Sequence, residues 1–310
     1  MTVSFVIPLY NRPGEISELL SSFRKVRVPS GFSYDIVIVE DGSSISSKEV
    51  IDSVRSELPI TYLTQSNTGP SGARNHGSRE ARGEWLVFLD SDTLLPEGYF
   101  EALMPAVTDP ALGLFGGPDR GSEDFTPVQK AISYSMTSFL TTGGIRGGKS
   151  KGADRFYPRT FNLGIRKSLF NQLGGFDTAM RYGEDLDLSM RAIESGARSR
   201  LVSKTWLYHK RRTDYTAFFK QVMHSGQARW ALEKKHPGTM KPVHWAPFLF
   251  SLFLLFGVFT PLYLLYALLI FIEALTSYKY TAEEALHAVL ASFVQHFGYG
   301  WGFLKGALRR

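Results

Sequence analysis

Cysteine is absent from the 310 residues of the chain, and the N-terminal stretch MTVSFVIPLYN contains no lysine or arginine. The first absence excludes disulfides and thiolate chemistry. The second excludes the cationic start of a secretory signal peptide, so we expect the bulk of the protein to stay in the cytosol. The stretch instead has the apolar character of the first strand of a domain.

Charged side chains are missing from Trp245 to Ile272, a run of 28 residues. The preceding stretch, Lys204 to Lys241, contains nine Lys and Arg residues but only Asp214 and Glu233 as acids. The formal net charge of +6 therefore comes mostly from a basic segment that adjoins an apolar one. This juxtaposition predicts an anionic membrane surface as a partner, and nucleic acid is not expected as one.

Short β-branched runs alternate with helical patterns over the first two hundred residues. This alternation predicts an α/β fold with a mostly parallel sheet and helices on both faces. In such a sheet, ligands bind beyond the carboxyl ends of the strands. The predicted strands are Val3–Pro8, Tyr34–Val39, Ile60–Thr64 and Trp85–Leu89, and the predicted helices are Gly14–Phe23, Ser47–Glu57 and one that starts at Asn75.

Each predicted strand ends in polar residues or proline, which suits a cleft lined by hydrogen-bonding groups. For any single strand end, a simple turn is an equally good explanation, because Asp, Asn, Gly and Pro all favour turns. The four ends are Pro8 with Tyr10 and Asn11, Glu40 with Asp41, Gln65 with Asn67, and Asp90 with Asp92.

The segment NTGPSGARNHG, from Asn67 to Gly77, contains three glycines and one proline. We expect an extended loop that delivers Arg74 and Asn75 to the N-terminus of a helix. Backbone N–H groups and one guanidinium in such a loop suit a phosphate-bearing ligand. No Gly-Lys-Ser/Thr follows and no GxGxxG pattern is present, so neither a Walker loop nor a dinucleotide fingerprint is predicted.

Asp90 and Asp92 follow the apolar run WLVFL with one residue between them. Two carboxylates this close repel each other unless a cation or hydrogen-bond donors lie between them. Mg²⁺ and Mn²⁺ prefer carboxylates together with substrate phosphates. The pair, beside the expected phosphate loop, therefore predicts a metal-diphosphate clamp, and a helix N-cap at Asp92 is the alternative.

The order of motifs in the chain resembles that of inverting family 2 glycosyltransferases of the GT-A fold, of the membrane-associated type. The resemblance covers about residues 1–210 and is specific for the family but only weakly for the substrate. It implies a GT-A nucleotide-sugar-binding fold, here followed by a C-terminal helical membrane-anchoring region. The motifs are VSFVIPLYNR, IVIVEDGSS, NTGPSGARNHG, WLVFLDSD, NLGIRKSLFNQLGGFD and YGEDLDLSMR.

The resemblance also implies roles for the strand-end residues. Asp41 would accept a hydrogen bond from the ring N–H of uracil or a similar base, and Asp92 would carry a Mn²⁺ or Mg²⁺ ion bound to the diphosphate. The remaining nucleotide-binding residues would be Pro8, Tyr10 and Arg12 at the base, Arg74 near the base or diphosphate, and Asp90 near the ribose. For Arg12, a solvated turn residue is the alternative.

A second acidic cluster, Glu184, Asp185 and Asp187, begins a predicted helix. By the resemblance, Asp185 is the base that deprotonates the acceptor hydroxyl, and Glu184 orients the acceptor or the base. The helix dipole alone accounts for Asp187. In some relatives a histidine after the corresponding strand is a metal ligand, which makes His209 a candidate, although a strand-end histidine without a ligand role fits nearly as well. One base and one metal suffice for a single in-line displacement with inversion.

The uncharged run from Trp245 to Ile272 has two explanations. One helix of this length would span about 42 Å and could cross a bilayer with tilt. Alternatively, Gly257 and Thr260-Pro261 divide it into a hairpin that enters and leaves the same leaflet. Apolar residues at helical spacing from Leu286 to Leu308 predict an amphipathic helix at the interface. Lys305, Arg309 and Arg310 favour a cytosolic C-terminus, which favours the hairpin or an even number of crossings.

Three ranges follow: a catalytic domain at 1–215, a basic juxtamembrane helix or linker at 216–244, and a membrane-associated helical hairpin with an amphipathic helix at 245–310. We expect a metal-dependent enzyme at the cytoplasmic face of the inner membrane. It would move a sugar from a nucleotide-diphosphate donor, UDP-linked by preference, to a hydroxyl of a membrane-held acceptor such as a lipid-linked saccharide or glycan. The alternative is a catalytically idle, membrane-anchored module that binds nucleotide sugars.

Overall fold

The computed structural model describes residues 2–121, 124–142 and 156–309, so Arg310 lies outside the described residues. The strands are β1 (Thr2–Leu9), β2 (Ser33–Asp41), β3 (Ile60–Gln65), β4 (Trp85–Leu89), β5 (Thr93–Leu94), β6 (Leu112–Gly116), β7 (Asp119–Arg120), β8 (Asn162–Arg166), β9 (Arg198–Leu201) and β10 (Leu207–His209). The α-helices are α1 (Pro13–Phe23), α2 (Lys48–Val54), α3 (Gly69–Glu80), α4 (Tyr99–Val107), α5 (Pro127–Thr137), α6 (Phe139–Thr142), α7 (Lys167–Gln172), α8 (Glu184–Glu194), α9 (Tyr215–Lys235), α10 (Ala246–Leu255), α11 (Thr260–Thr276) and α12 (Ala282–Ala307).

The chain forms two compact units that are interleaved in sequence. Among the described residues, unit 1 comprises 2–120, 156–179 and 184–210, and unit 2 comprises 121, 124–142, 180–183 and 211–309. The three predicted domain ranges were continuous and stay predictions.

Unit 1 is built on a seven-stranded sheet in the order β3-β2-β1-β4-β8-β6-β9. The strands β3, β2, β1 and β4 are parallel neighbours, and only β8 runs antiparallel to its two neighbours, β4 and β6. Successive residues of β1 alternate between two cores, with Phe5 in one and Val6 in the other. The predicted α/β fold with a mainly parallel sheet flanked by helices is therefore confirmed.

A small sheet in unit 1, in the order β5-β10-β7, follows the end of β4. The antiparallel pairing of β10 with β5 places His209 opposite Thr93, one residue after Asp92. The parallel pairing of β10 with β7 places Leu207 opposite Asp119. This sheet brings a histidine more than a hundred residues along the chain to the carboxyl end of β4.

The segment NTGPSGARNHG differs from its prediction as an extended loop. Helix α3 begins at Gly69, six residues before the predicted start, and Pro70 lies in its first turn. Proline suits that position because its fixed φ is helical and its missing N–H has no partner to lose there. Gly72 and Gly77 are therefore helical, whereas Gly69, where the helix begins, has φ 83°. The backbone N–H groups of Thr68 and Gly69 donate to the Asp41 carboxylate.

Unit 2 is helical, and small residues form the seam between α9 and α12. A Cβ atom on Gly302 would lie 1.9 Å from the Met223 carbonyl oxygen, and one on Gly226 would lie 2.2 Å from that of Tyr299. Glycine at these two positions lets the helix backbones approach more closely than any side chain permits. Trp230 Nε1 also donates to the Phe303 carbonyl at 2.7 Å across the same seam.

The uncharged run forms two helices, α10 and α11, with a break at the predicted division. Gly257 has φ 65° and Phe259 has φ 59°, a left-handed conformation that ends α10. Within the residues that the structure describes, no helix has both the length and the apolar composition needed to cross a bilayer. Large apolar side chains are exposed on both helices and in the turn between them, among them Leu255 and Phe256, which are 73% and 76% exposed.

Candidate active site

The carboxyl ends of β1 to β4 lie at one edge of the large sheet, because these strands are parallel neighbours. We call this edge the strand-end rim and define it by Tyr10, Asp41, Arg74, Asp90 and Asp92. The structure brings together the strand ends that the sequence predicts to line a cleft. The assignment of individual rim residues to the nucleotide stays a prediction.

Asp41, the last residue of β2, is only 3% exposed. Its Oδ1 accepts hydrogen bonds from Gln65 Nε2 at 2.7 Å and from the Thr68 N–H at 2.9 Å. Its Oδ2 accepts the Gly69 N–H at 2.8 Å. The first turn of α3 thus satisfies much of this carboxylate and fixes its position. Oδ2 retains acceptor capacity for a further N–H group, because a carboxylate oxygen has two lone pairs.

Asn11 shapes the rim at the end of β1, a role that the sequence prediction did not assign. It has φ 53°, and its Oδ1 accepts the N–H groups of Ser44 and Ile45 at 2.8 and 3.0 Å. These bonds tie the end of β1 to the loop after β2. Asparagine tolerates a left-handed backbone, so an asparagine directly before Arg-Pro-Gly could have indicated a turn at the end of β1. The neighbouring Tyr10 is 52% exposed at the rim, and Pro8 is partly exposed there.

Asp90, Asp92 and His209 form a group that could hold a metal ion. One ligand atom from each lies within 4.8 Å of the others. Asp92 Oδ1 lies 3.3 Å from His209 Nε2, and the Phe161 ring stacks on His209 with ring centroids 5.1 Å apart. On the other side of the ring, His209 Nδ1 lies 3.8 Å from Asp119 Oδ2. A carboxylate behind a histidine is common where the opposite nitrogen binds a metal.

Asp92 is 8% exposed, and its two oxygens differ in their surroundings. Oδ2 accepts a hydrogen bond from Arg12 Nη1 at 2.8 Å, so Arg12 is not a solvated turn residue. Oδ1 is buried, and no group in the described part of the chain donates a well-directed hydrogen bond to it. A buried oxygen in this state fits a cation ligand. Burial would raise the pKa of Asp92, but the neighbouring His209 and Arg12 lower it below its ordinary value.

Glu184 and Asp185 lie at the N-terminus of α8, as the sequence predicts. Asp185 Oδ1 accepts the Leu186 N–H at 2.8 Å and lies 3.5 Å from Arg159 Nη1, a contact that no sequence motif indicated. Burial raises the pKa of Glu184 above its ordinary value, and repulsion from Asp185 raises it further, while Arg74 opposes both. Asp187 is fully buried and bonds to Arg191, which supports its structural interpretation.

Arg74 connects the two acidic clusters. Its Nη2 donates to Asp90 Oδ1 at 2.7 Å, and its Nη1 donates to Glu184 Oε1 at 3.3 Å. One guanidinium therefore bridges the Asp90 carboxylate after β4 and the Glu184 carboxylate at the start of α8. Residues 90 and 184 are far apart in the chain, and the structure brings their carboxylates to the same guanidinium.

A protein-family comparison matches residues 4–174 to the family described as Glycosyl transferase family 2. The chain belongs to glycosyl transferase family 2. The match covers more than half of the chain and includes the ends of β1 to β4. The rim and the acidic start of α8 are the candidate active site of this family member.

Curated relatives of the chain are named as glycosyltransferases. The chain is 30% identical over 244 residues to the pre-mycofactocin glycosyltransferase of Mycobacterium tuberculosis, which covers 78% of this chain and 49% of that protein. It is 27% identical to an uncharacterized glycosyltransferase of Haemophilus influenzae, with 62% of each chain covered. The chain thus spans about half the length of the first relative.

Two solved structures are similar in fold. One is the mannosyltransferase PcManGT from Pyrobaculum calidifontis in complex with GDP-Man and Mn²⁺, with TM-score 0.62, 20% identity, and 99% of this chain and 87% of that chain covered. The other is residues 1–349 of TarS from S. aureus in complex with UDP-GlcNAc, with TM-score 0.54, 17% identity, and coverage of 99% and 92%. At these identities the likeness shows the GT-A fold alone.

Proposed function

We propose that the protein is an inverting glycosyltransferase that moves a sugar from a nucleotide-diphosphate donor to a hydroxyl of a membrane-held acceptor. The observation that carries this proposal is the pair of hydrogen bonds that Arg74 donates, one to Asp90 and one to Glu184. Arg74 thereby joins a carboxylate suited to a metal-bound diphosphate to one suited to an acceptor hydroxyl, which supports a single site for both substrates. The donor nucleotide is a uridine diphosphate by preference, because Asp41 can accept the ring N–H of uracil.

Asp92 and His209 are the residues that we propose to hold a divalent metal ion, with Asp90 beside them. The buried Asp92 Oδ1 and the imidazole 3.3 Å away fit Mn²⁺ or Mg²⁺ as oxygen and nitrogen donors. When bound, such an ion neutralises charge that develops on the departing diphosphate. Arg12, which bonds to Asp92, keeps this carboxylate ionised and oriented.

On the donor side, we propose that Asp41 orients the base while Pro8, Tyr10 and Arg12 line its pocket. Asp41 is held by the first turn of α3, so it presents the same oxygen to each incoming base. Tyr10 is exposed and has a ring that can pack against a nucleobase. Asp90 is the rim carboxylate that we assign to the ribose.

On the acceptor side, Asp185 acts as the base. Its carboxylate takes the proton of the acceptor hydroxyl, and the hydroxyl oxygen forms a bond to the anomeric carbon. The bond from that carbon to the diphosphate oxygen breaks, and the nucleoside diphosphate leaves with the bonding electrons. One displacement inverts the anomeric configuration. Glu184, adjacent to this base and bonded to Arg74, orients the acceptor or the base.

The surface of unit 2 supports a membrane-held acceptor. Helices α10 and α11 and the turn between them expose large apolar side chains, including Leu255, Phe256, Phe259 and Leu262. Contiguous exposed apolar surface marks an interaction site, and helices with such a face can lie in the headgroup region. The same unit exposes basic residues suited to anionic lipids, at Lys220, Lys234, Lys241, Lys279 and Arg309. We place the enzyme at the cytoplasmic face of the inner membrane on this basis.

The experiment that tests the function supplies candidate nucleotide sugars with membrane extract and measures sugar incorporation into the lipid fraction. We expect metal-dependent incorporation from one donor and its loss in Asp185→Asn. Asp109→Asn is the matched control, because Asp109 pairs with Arg200 outside the candidate site. Full activity of Asp185→Asn would remove Asp185 as the base.

A thermal-shift screen of UDP, GDP and their sugars, with and without Mn²⁺, identifies the donor independently. A ligand that binds only the folded state raises the unfolding temperature, so a donor that stabilises only with metal supports the site as assigned. Binding of a nucleotide sugar without transfer to any acceptor would instead favour the catalytically idle module.

A further inference from the structure

Arg74 lies between two carboxylates that belong to different motifs. Its side chain is 5% exposed, and each terminal nitrogen serves one carboxylate, Asp90 on one side and Glu184 on the other. The Phe176 ring lies 5.7 Å from the guanidinium carbon. An arginine in these surroundings cannot move toward solvent without leaving two partly buried acids without their cation.

The planar fork of a guanidinium is what makes this bridge possible. Its nitrogens point in fixed, different directions, so one side chain can hold two carboxylates at a set separation. A lysine ammonium at the end of a flexible stem carries the charge without that geometry.

Asn75, the next residue of α3, reinforces the same connection. Its Nδ2 donates to the Phe176 carbonyl at 2.8 Å, and its Oδ1 accepts the Phe176 N–H at 2.9 Å. Two consecutive residues of α3 therefore bind the end of β4, the segment at Phe176 and the start of α8. The helix that also presents its N-terminus to Asp41 sets the distance between the donor and acceptor sides.

We propose that Arg74 is a positioning residue for sugar transfer, which holds Glu184 at a set distance from Asp90. The adjacent Asp185 thereby keeps its alignment with the donor-side carboxylates at the end of β4. This inference rests on the proposed function, and it replaces the role near the base or diphosphate that the family resemblance implies for Arg74. Alignment has a large effect on transfer, because a misplacement of about 1 Å can cost about 100-fold in rate.

The first test measures the bridge itself without any ligand. Unfolding midpoints in urea are compared for wild type, Arg74→Gln, Glu184→Gln and the double variant. A bridge predicts that the double variant loses clearly less stability than the sum of the two single losses, since either change alone breaks the same contact. Strictly additive losses would overturn the bridge, whatever the protein's activity.

The second test separates positioning from nucleotide binding. With the nucleotide sugar that wild type uses, we expect kcat to fall about tenfold or more in Arg74→Gln and Arg74→Lys. The Kd values for UDP and GDP in Mn²⁺ should stay within about threefold of wild type. In the double variant with Glu184→Gln, kcat should fall little below that of Arg74→Gln alone.

Arg166→Gln is the matched control, because Arg166 also donates two partly buried hydrogen bonds, to the carbonyls of Leu112 and Asp109, and stacks on Trp85. It should lose stability while kcat and nucleotide affinity stay near wild type. Nucleotide affinity that falls tenfold in Arg74→Gln, with kcat unchanged, would make Arg74 a nucleotide ligand and overturn the proposal. If the wild-type protein binds UDP or GDP but transfers no sugar, the proposed function is contradicted. The urea comparison would still show whether Arg74 and Glu184 stabilise the fold through a shared contact.

Discussion

The strand-end rim of unit 1 and the exposed apolar surface of unit 2 differ in which side chains they bury. We call the latter the α10–α11 surface and define it by Leu255, Phe256, Phe259 and Leu262. The rim buries charged groups, such as Asp41, Arg74 and Asp92. The α10–α11 surface exposes large apolar ones, such as Leu255 and Phe256. Buried charges and exposed apolar patches both run against the usual distribution of residues in a soluble domain.

The difference shows what each region is built to meet. At the rim, each buried charge has an internal partner, because burying an unpaired ion costs several kcal/mol. Within the part of the chain that the structure describes, no other residue covers the side chains of Leu255 and Phe256 on the α10–α11 surface. The rim is thus organised before a ligand arrives, whereas the helical surface is suited to an apolar phase outside the protein.

The largest expected effect comes from breaking the rim at Asp92. Asp92→Asn removes the charge of the proposed metal ligand, and we expect kcat/KM for sugar transfer to fall by about 1000-fold. Titration with Mn²⁺, followed by thermal shift, should show weaker metal binding. Asp52→Asn changes an exposed aspartate that pairs with Lys48, and should leave both measurements near wild type. Unchanged Mn²⁺ affinity in Asp92→Asn would contradict the assignment.

A smaller effect is expected from the α10–α11 surface. The triple variant Leu255→Ser, Phe256→Ser and Leu262→Ser should bind vesicles that contain anionic lipid about 100-fold more weakly, because each lost side chain removes apolar area from the contact. Sedimentation with vesicles measures this. The control is Val28→Ser with Ile45→Ser, two exposed apolar residues of unit 1. Equal binding by the triple variant would mean that another surface meets the membrane or that none does.

The smallest effect is a pH dependence inside unit 2. His296 is partly buried and packs against Phe250, and its Nε2 lies 2.8 Å from the Tyr266 hydroxyl. Burial lowers the pKa of His296 to about 4. The unfolded chain takes up the proton near the ordinary pKa of about 6.5, so this contribution to stability is present above that pH and is lost as pH falls toward 4.

We therefore expect wild type to lose about 2 kcal/mol of stability between pH 8 and pH 5 through this group alone. Urea unfolding at both values measures it. His296→Gln keeps a polar atom near Tyr266 but does not titrate, so the difference between the two pH values should shrink by that amount. A pH dependence identical to that of wild type would show that His296 does not contribute.

Much of the rim was predictable because it depends on local pattern. Apolar runs followed by Asp41, Asp90 and Asp92 predict strands that end in acids, and parallel pairing brings such ends to one edge. The acidic start of α8 was visible for the same reason. The break in the uncharged run at Gly257 also follows from a local preference, since glycine adopts a left-handed conformation at little cost.

The early start of α3 shows where local pattern misleads. Its glycines and proline predict a loop, yet the segment is helical from Gly69. The carboxylate of Asp41 accepts the N–H groups of Thr68 and Gly69, and such capping by a residue far along the chain offsets the poor helix propensity of glycine. No property of the segment itself indicates this partner.

By itself, the sequence determined the strands and their polar ends, because hydrophobic periodicity and turn chemistry act over a few residues. Only the tertiary structure decided which of these groups meet. The register of β10 on β5 places His209 beside Asp92, and the packing of α3 places Arg74 between Asp90 and Glu184. Contacts of this kind depend on side-chain reach and on pairing between distant segments, and neither is encoded at any single position.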